Sequence, residues 1–221
     1  MKIFQIIGIT VCLLTGISSY AQKTISEGTL SYNIVIETGS KEPQMADVLD
    51  GATSIVYIKG GLSRTDMVSA LGSESTLYDT KTGEAIILKE YSGQKLMISL
   101  TKDDWISKNK KYQGVQYTFQ DETKTIAGYE CKKAIAKLAD GNTITVFYST
   151  GFNLMNKEYE QLFKNLPGIP MQYEFIKGKM KFSYTLSKMD LSPLMNSKFE
   201  APKTGFRVIT YQETLKTKST Q

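Results

Sequence analysis

The chain has 221 residues, a formal net charge of +5 and 41% hydrophobic residues, which fits one domain with a real hydrophobic core. It contains no histidine, which excludes catalytic triads with an imidazole base and zinc sites with a histidine ligand. Its cations are almost all lysines that alternate with acids. A nucleic-acid-binding protein usually shows a basic stripe rich in arginine, so we expect no nucleic-acid partner.

The chain opens with the pattern of a secretory signal peptide. Lys2 precedes an apolar run over residues 3–14, and Ser19-Tyr20-Ala21 places small residues at the cleavage positions. The run is shorter than the roughly 20 residues that span a bilayer. We therefore predict a signal peptide at 1–21, a protein that is exported to the periplasm or secreted, and no transmembrane segment after cleavage.

After residue 21 the dominant hydrophobic period is two, which is typical of half-buried strands. In residues 29–37, one face is formed by Leu30, Tyr32, Ile34 and Ile36. Further strand candidates are 53–59, 62–69, 75–80, 85–91, 95–101, 115–122, 130–138, 143–150, 171–175, 179–188 and 206–212, and we expect about 10–11 strands in all.

Short turn sequences join these strands, namely residues 79–83, Ser92-Gly93, Asp140-Gly141, which favours a type I′ turn, and Lys177-Gly178. Consecutive hairpins predict a mainly β (α+β) fold with an antiparallel sheet.

One amphipathic helix is predicted at 157–165, because four apolar residues follow the spacing i, i+3, i+4, i+7: Tyr159, Leu162, Phe163 and Leu166. Asn156 would cap its start. Pro167-Gly168 would end it in a type II turn with the glycine at positive φ.

The domain organisation is simple. A second, weaker helix is predicted at 44–49, and no linker or repeat divides the chain. We expect a single β-rich domain at 22–213, followed by a polar tail at 214–221.

Cys131 is the one cysteine left after the signal peptide, with Cys12, is removed. A disulfide within the chain then has no partner, and Glu130 alone provides too few ligands for a metal site. A reactive thiol would need an activating base or a positive environment. We predict that Cys131 packs in a strand as a small apolar residue, with an intermolecular disulfide as the alternative.

Other candidate patterns for chemistry are weaker. Asp103 and Asp104 are adjacent, so their side chains diverge. Ser92 and Lys95 match an S-x-x-K pattern but lie at a predicted hairpin turn, where the lysine cannot sit one helical turn from the serine. Trp105 either packs or lines a pocket. We predict no catalytic residue, no metal site and no cofactor.

An aromatic and methionine stripe is the strongest candidate for a site. In one predicted hairpin, six residues fall on coinciding faces: Met171, Tyr173, Phe175, Met180, Phe182 and Tyr184. An ordinary core is one interpretation. The other is an adaptable apolar wall that binds a lipid or another apolar ligand, with Tyr32 as a seventh wall residue and the helix at 157–165 as a lid.

Three motifs carry a resemblance to a known family. They read IAGYECKKA at 126–134, TVFYST at 145–150 and LPGI at 166–169. Their order resembles the GLPGLI family of exported Bacteroidota proteins, or a related uncharacterised exported family with the same motifs. Asn165, Ile169 and Pro170 depart from the family's Gly-Leu-Pro-Gly-Leu-Ile turn, and the resemblance covers roughly residues 115–190.

The resemblance implies membership of the LolA-like group of envelope proteins. That group implies a curved antiparallel half-barrel with one or two helices packed on its concave side, which is consistent with the 10–11 strands expected here. The resemblance supplies no catalytic residue, and it implies structural roles for Cys131 and Pro167-Gly168.

We therefore predict an exported, non-enzymatic binding protein of the cell envelope that holds a lipid, a lipoprotein or another apolar molecule in a half-barrel. The alternative is an envelope structural or interaction module with a filled core, no small ligand and an envelope protein as partner. An enzyme based on carboxylates or Ser-Lys chemistry is a third hypothesis, which several carboxylates meeting in one cleft would support.

Overall fold

The computed structural model describes residues 22–37 and 51–219. The predicted signal peptide at 1–21 and the predicted helix at 44–49 lie outside the described residues.

The described residues form fourteen strands: β1 (Lys23–Ile25), β2 (Glu27–Glu37), β3 (Thr53–Lys59), β4 (Leu62–Ser69), β5 (Gly72–Asp79), β6 (Ala85–Tyr91), β7 (Gln94–Leu100), β8 (Gln116–Ile126), β9 (Tyr129–Lys137), β10 (Thr143–Ser149), β11 (Phe152–Leu154), β12 (Ile169–Lys177), β13 (Met180–Asp190) and β14 (Arg207–Thr210). Within the same ranges there are two α-helices, α1 (Lys102–Lys108) and α2 (Tyr211–Ser219), and three 3₁₀ turns, at Lys110–Tyr112, Gln161–Phe163 and Asn196–Phe199.

Twelve of these strands form one sheet, in the order β14-β7-β6-β5-β4-β3-β2-β13-β12-β10-β9-β8. Two series of antiparallel neighbours, β2 to β7 and β8 to β13, meet where β2 pairs with β13. In this sheet β14 is parallel to its neighbour β7, and β1 and β11 form a separate parallel pair. The prediction of a mainly β, largely antiparallel fold is confirmed, with a sheet of twelve strands where 10–11 were expected.

Turn chemistry agrees with the prediction at one hairpin and differs at another. Ser92 and Gly93 both have positive φ (50° and 77°), as a two-residue turn between β6 and β7 requires. At Asp140-Gly141 only the glycine has positive φ, so the predicted type I′ turn is wrong. The Asp140 carboxylate accepts a hydrogen bond from the backbone N–H of Asn142 at 3.0 Å, which favours a longer loop.

Both α-helices begin at a threonine followed three residues later by an acid. Thr101 accepts a hydrogen bond from the backbone N–H of Asp104 at 3.2 Å, and the Asp104 carboxylate accepts one from the N–H of Thr101 at 3.1 Å. Thr210 and Glu213 make the same reciprocal pair. These two capping boxes start the helices, so β7 ends at Leu100 and β14 ends at Thr210, before the ends predicted at 101 and 212. The boundary predicted between residues 213 and 214 falls inside α2.

The core lies mainly on one face of the sheet. We call this the inner face; it carries Tyr32, Tyr173 and Tyr184, which occupy equivalent sides of β2, β12 and β13. Residues 155–168, between β11 and β12, cross the inner face, and we call them the crossing segment. The opposite face is partly covered by residues 191–206, where Arg64 donates a hydrogen bond to the carbonyl of Lys198.

Candidate functional site

The crossing segment is not the α-helix that the spacing of its apolar residues predicts. Its regular structure is one 3₁₀ turn at Gln161–Phe163. Two side chains bond the backbone N–H two residues ahead: Asn156 accepts from Glu158 at 3.1 Å, and Glu160 accepts from Leu162 at 3.4 Å. Such local bonds compete with helical ones. The prediction of an α-helix at 157–165 is therefore wrong.

The spacing of apolar residues in the crossing segment nevertheless predicts correctly which of its side chains are buried. Its four spaced apolar residues are all buried, at 9% exposure or less: Tyr159, Leu162, Phe163 and Leu166. Leu162, Phe163 and Leu166 pack against β9 and β10, while Tyr159 packs with residues of β2 and β3. The segment is also tied to β8, since the Tyr117 hydroxyl donates a hydrogen bond to the carbonyl of Leu162.

Gly168 ends the crossing segment for a different reason from the one predicted. Its φ does not lie in the left-handed region, so the predicted type II turn with glycine at positive φ is wrong. A Cβ at this position would overlap the backbone carbonyl of Ser149 in β10. Glycine is required here because two backbones approach closely.

Aromatic rings are clustered between the inner face and the crossing segment. Tyr173 is at the centre, stacked on Tyr184 with ring centroids 4.6 Å apart and edge-on to Phe163 at 4.8 Å. Tyr32 lies edge-on to Tyr173 at 6.0 Å, and Phe175 stacks at 5.9 Å from Tyr184. Both contact geometries are favourable for aromatic pairs.

A cavity of about 180 Å³ lies beside this cluster. We call it the small cavity. Strands β2 to β5, β12, β13 and the crossing segment all contribute to its lining: Tyr32, Ser54, Val56, Thr65, Met67, Glu74, Thr76, Tyr159, Glu160, Phe163, Tyr173 and Tyr184. The lining mixes aromatic rings with hydroxyl groups and two carboxyl groups, so it suits a ligand with both apolar and polar parts.

A second space of about 460 Å³ shares four lining residues with the small cavity: Glu160, Phe163, Tyr173 and Tyr184. We call it the adjoining pocket. Its other lining residues come from β10, β12, the crossing segment and the segments around residues 112 and 140: Lys111, Tyr112, Leu138, Asp140, Asn142, Thr143, Ile144, Leu162, Phe175 and Ile176. Its volume is within the range usual for small-molecule sites.

The structure divides the seven predicted wall residues into two groups. Tyr32, Tyr173, Phe175 and Tyr184 line the small cavity, the adjoining pocket or both. The other three line neither space: Met171, which is 0% exposed, belongs to the main core, Met180 and Phe182 pack with Ile34, Ile36 and Ala52, and Phe182 also stacks on Phe175 at 5.0 Å.

Burial dominates the electrostatics of the site. It raises the pKa of the Glu160 carboxyl, although attraction by Lys108 and Lys111 opposes the shift. Burial also raises the pKa of the Tyr184 hydroxyl to about 12 and the pKa of Tyr173 well above its ordinary range. These hydroxyls therefore stay protonated at neutral pH and can donate hydrogen bonds.

Sequence reasoning missed the polar residues of the site. Glu160 lies in the predicted helix at 157–165, Thr65 and Thr76 lie in predicted strands, and Glu74 falls between two predicted strands; none of the four was predicted to line a site. The apolar spacing of Tyr159 and Leu162 gives no signal for the polar residue between them.

Cys131 is buried in β9, as predicted, and is free. Its thiol donates a hydrogen bond to the carbonyl of Tyr129 at 3.3 Å. Burial raises the pKa of the thiol to about 11, so the thiolate is scarce at neutral pH. Cys131 lines neither the small cavity nor the adjoining pocket.

Trp105 packs as expected, and it also borders another space. It is 7% exposed and stacks on Tyr78 with ring centroids 4.8 Å apart. Beside the pair lies a pocket of about 600 Å³, whose lining includes Lys102, Glu158 and Lys164. Glu158 and Lys164 form an ion pair at 2.8 Å, so the charges there are partly matched.

Two findings concern the described residues only. Over 22–37 and 51–219, no group of three or more Cys, Asp or Glu side chains is placed to hold a metal ion. In the same ranges, neither α1 nor α2 combines the length and apolar character needed to cross a bilayer.

No protein-family model and no curated protein matches the chain. Among solved structures, PNGF-II is similar with a TM-score of 0.49 and 14% identity over 87% of this chain and 33% of PNGF-II. MucB gives a TM-score of 0.37 with 8% identity over 80% of this chain and 58% of MucB. LprF from Mycobacterium bovis gives 0.36 with 12% identity over 76% of this chain and 88% of LprF.

This chain spans about a third of the length of PNGF-II. At these identities and TM-scores, the similarities assign no activity, ligand or partner to this chain. Membership of the GLPGLI family therefore stays a prediction.

Proposed function

We propose that this chain is an exported, non-enzymatic binding protein of the cell envelope that holds a lipid or another largely apolar molecule. The ligand would lie between the inner face and the crossing segment. The observation that carries the proposal is the small cavity, about 180 Å³ in volume and lined by aromatic rings, which shares four residues with an adjoining pocket of about 460 Å³. The signal-peptide pattern and the family resemblance support the envelope location.

Within this proposal the predicted wall residues have two roles. Tyr32, Tyr173, Phe175 and Tyr184 contact the ligand, because they line the two spaces. Met171, Met180 and Phe182 support those rings from the neighbouring core. The crossing segment takes the part of the lid that the predicted helix was expected to play.

The test is to purify the protein from its own host and to measure its mass by native mass spectrometry, followed by analysis of an organic extract. We expect a bound molecule of a few hundred daltons that organic solvent releases. A Thr76→Phe variant would fill part of the small cavity and should be purified with much less of that molecule. Ligand-free protein, together with an extract that contains no lipid, contradicts the proposal.

A second candidate function is an envelope interaction module with a filled core. It is favoured by the modest volume of the small cavity and by β8, an eleven-residue strand at the edge of the sheet that exposes 53% of Phe119. Edge strands can pair with another chain. Crosslinking in the host would then recover one specific envelope protein. Substitutions in β8 that prevent its pairing with the partner chain would abolish that crosslink.

A further inference from the structure

The charged residues that line the small cavity are both acidic. Glu74 and Glu160 are the ionisable acids that line it, and no lysine or arginine is among its lining residues. Glu74 is neutralised from outside the cavity, because its carboxylate pairs with Lys89 at 2.8 Å.

Glu160 has no comparable partner. Among the side chains that the structure describes, no lysine or arginine lies within ion-pair distance of its carboxylate, which accepts a hydrogen bond from the backbone N–H of Leu162 at 3.4 Å. The two lysines that attract it act over a longer range. The ammonium of Lys108 lies 5.9 Å from the ring centre of Trp105, and that of Lys111 lies 4.6 Å from the ring centre of Tyr112.

Aromatic rings stand next to this carboxylate. Phe163, Tyr173 and Tyr184 line both spaces together with Glu160, and their centroids are 4.6–4.8 Å apart in successive pairs. The faces of such rings attract organic cations, and the attraction is stronger where water is excluded. A carboxylate beside several rings is the combination that recognises a substituted ammonium group. An anionic headgroup would be repelled at the same place.

We infer that the ligand carries an organic ammonium group, which Glu160 and the rings of Phe163, Tyr173 and Tyr184 bind in the small cavity. The apolar part of the same molecule occupies the adjoining pocket. This inference rests on the proposed function and names the chemical class of its ligand. Bound cation and proton compete for Glu160, because the ammonium stabilises the ionised carboxylate.

The experiment is isothermal titration calorimetry of the mature protein with three probes that share one apolar chain: hexyltrimethylammonium, 1-hexanol and hexanoate. We expect the ammonium probe to bind at least about tenfold more tightly than the alcohol, and the carboxylate probe to bind most weakly. The comparison uses the unaltered protein, so it does not depend on the folding of any variant.

A pair of variants locates the charge. Glu160→Gln keeps the size and the hydrogen-bond acceptor but removes the negative charge, and it should weaken binding of the ammonium probe about tenfold while changing the affinity for 1-hexanol by a much smaller factor. Glu158→Gln is the matched control on the same segment, because Glu158 pairs with Lys164 and does not line the small cavity. It should leave the affinities for all three probes unchanged.

The outcomes separate this inference from the proposed function. Equal affinities for the ammonium and the alcohol, or no effect of Glu160→Gln, overturn the ammonium site while apolar binding still stands. Failure of all three probes to bind overturns both the ammonium site and the proposed binding site.

Discussion

Gly168→Ala is expected to destabilise the protein strongly, because the added Cβ would overlap a backbone atom. The nearest atom is the backbone carbonyl oxygen of Ser149 in β10. Ser149 is the register partner of Ile169, the residue after Gly168 and the first residue of β12. A backbone neighbour cannot move aside as the end of a side chain can, so β10 and β12 would have to separate. Overpacking of this kind costs about 1–3 kcal/mol and sometimes more.

Gly151→Ala is the matched control. Gly151 also lacks a left-handed φ, and its added Cβ would meet only the Ser149 hydroxyl oxygen at 3.7 Å, an ordinary contact. Replacing such a glycine reduces the freedom of the unfolded chain and can stabilise a protein by about 0.4–1 kcal/mol. The two variants should therefore differ by roughly 1.4–4 kcal/mol in the free energy of unfolding.

The assay is urea unfolding followed by the fluorescence of Trp105, which lies in a core cluster that contains neither Leu166 nor Ile169. In a parallel thermal unfolding experiment, the same difference corresponds to roughly 3–16 °C in Tm for a domain of about 200 residues. Equal stabilities for Gly168→Ala and Gly151→Ala would refute the close approach of β10 and β12 as the reason for glycine.

Two further predictions concern buried ionisable groups. Burial raises the pKa of the Cys131 thiol from 9.0 to about 11, so less of the reactive thiolate is present at neutral pH. Alkylation by iodoacetamide should be at least about a hundredfold slower in the native protein than in urea. Equal rates would mean that the thiol is accessible and that its pKa is not shifted. Cys131→Ala should cost about 1 kcal/mol of stability and leave probe binding unchanged. Burial raises the pKa of Glu160 in the folded protein above its ordinary value of 4.5, which applies to the unfolded chain. The protein therefore has its full stability from this group below pH 4.5 and loses it as the pH rises through the folded-state pKa. Glu160→Gln should thus gain stability over the unaltered protein as pH rises to neutral, as urea titrations at several pH values would show, and a constant difference would contradict this.

Local pattern was enough to predict the strands of the sheet. The alternation of Leu30, Tyr32 and Ile34 placed β2, and each of these residues is 2% exposed. Alternate side chains of a strand point to opposite faces of the sheet, so this pattern can be recognised from the local sequence alone.

The same reasoning failed in the crossing segment. The helical spacing of Tyr159, Leu162 and Phe163 correctly predicts that these side chains are buried, but it does not predict the backbone conformation. Side chains of Asn156 and Glu160 decide the backbone there, through bonds that the spacing of apolar residues does not reveal. The capping box at Thr101 could have been read from the sequence as a helix start.

The composition of the small cavity was beyond local reasoning. Glu74 and Thr76 in β5 line the same cavity as Glu160, because the crossing segment lies over the inner face of the sheet. No window of sequence contains both sides of such a site, so its polar residues could not be found from periodicity.

The pairing of β2 with β13 has a consequence for the order of folding. It brings together residues as distant in sequence as Leu30 and Met189, whereas most other neighbours in the sheet are consecutive strands, with the β14–β7 pair as a second long-range pairing. Contacts between distant residues carry a larger loop-closure entropy and form slowly. The two halves can thus assemble before the seam between them closes. The small cavity takes its walls from both halves, so in a refolding experiment the capacity to bind a probe should appear only in the last kinetic phase, after most of the β-sheet signal in circular dichroism has returned.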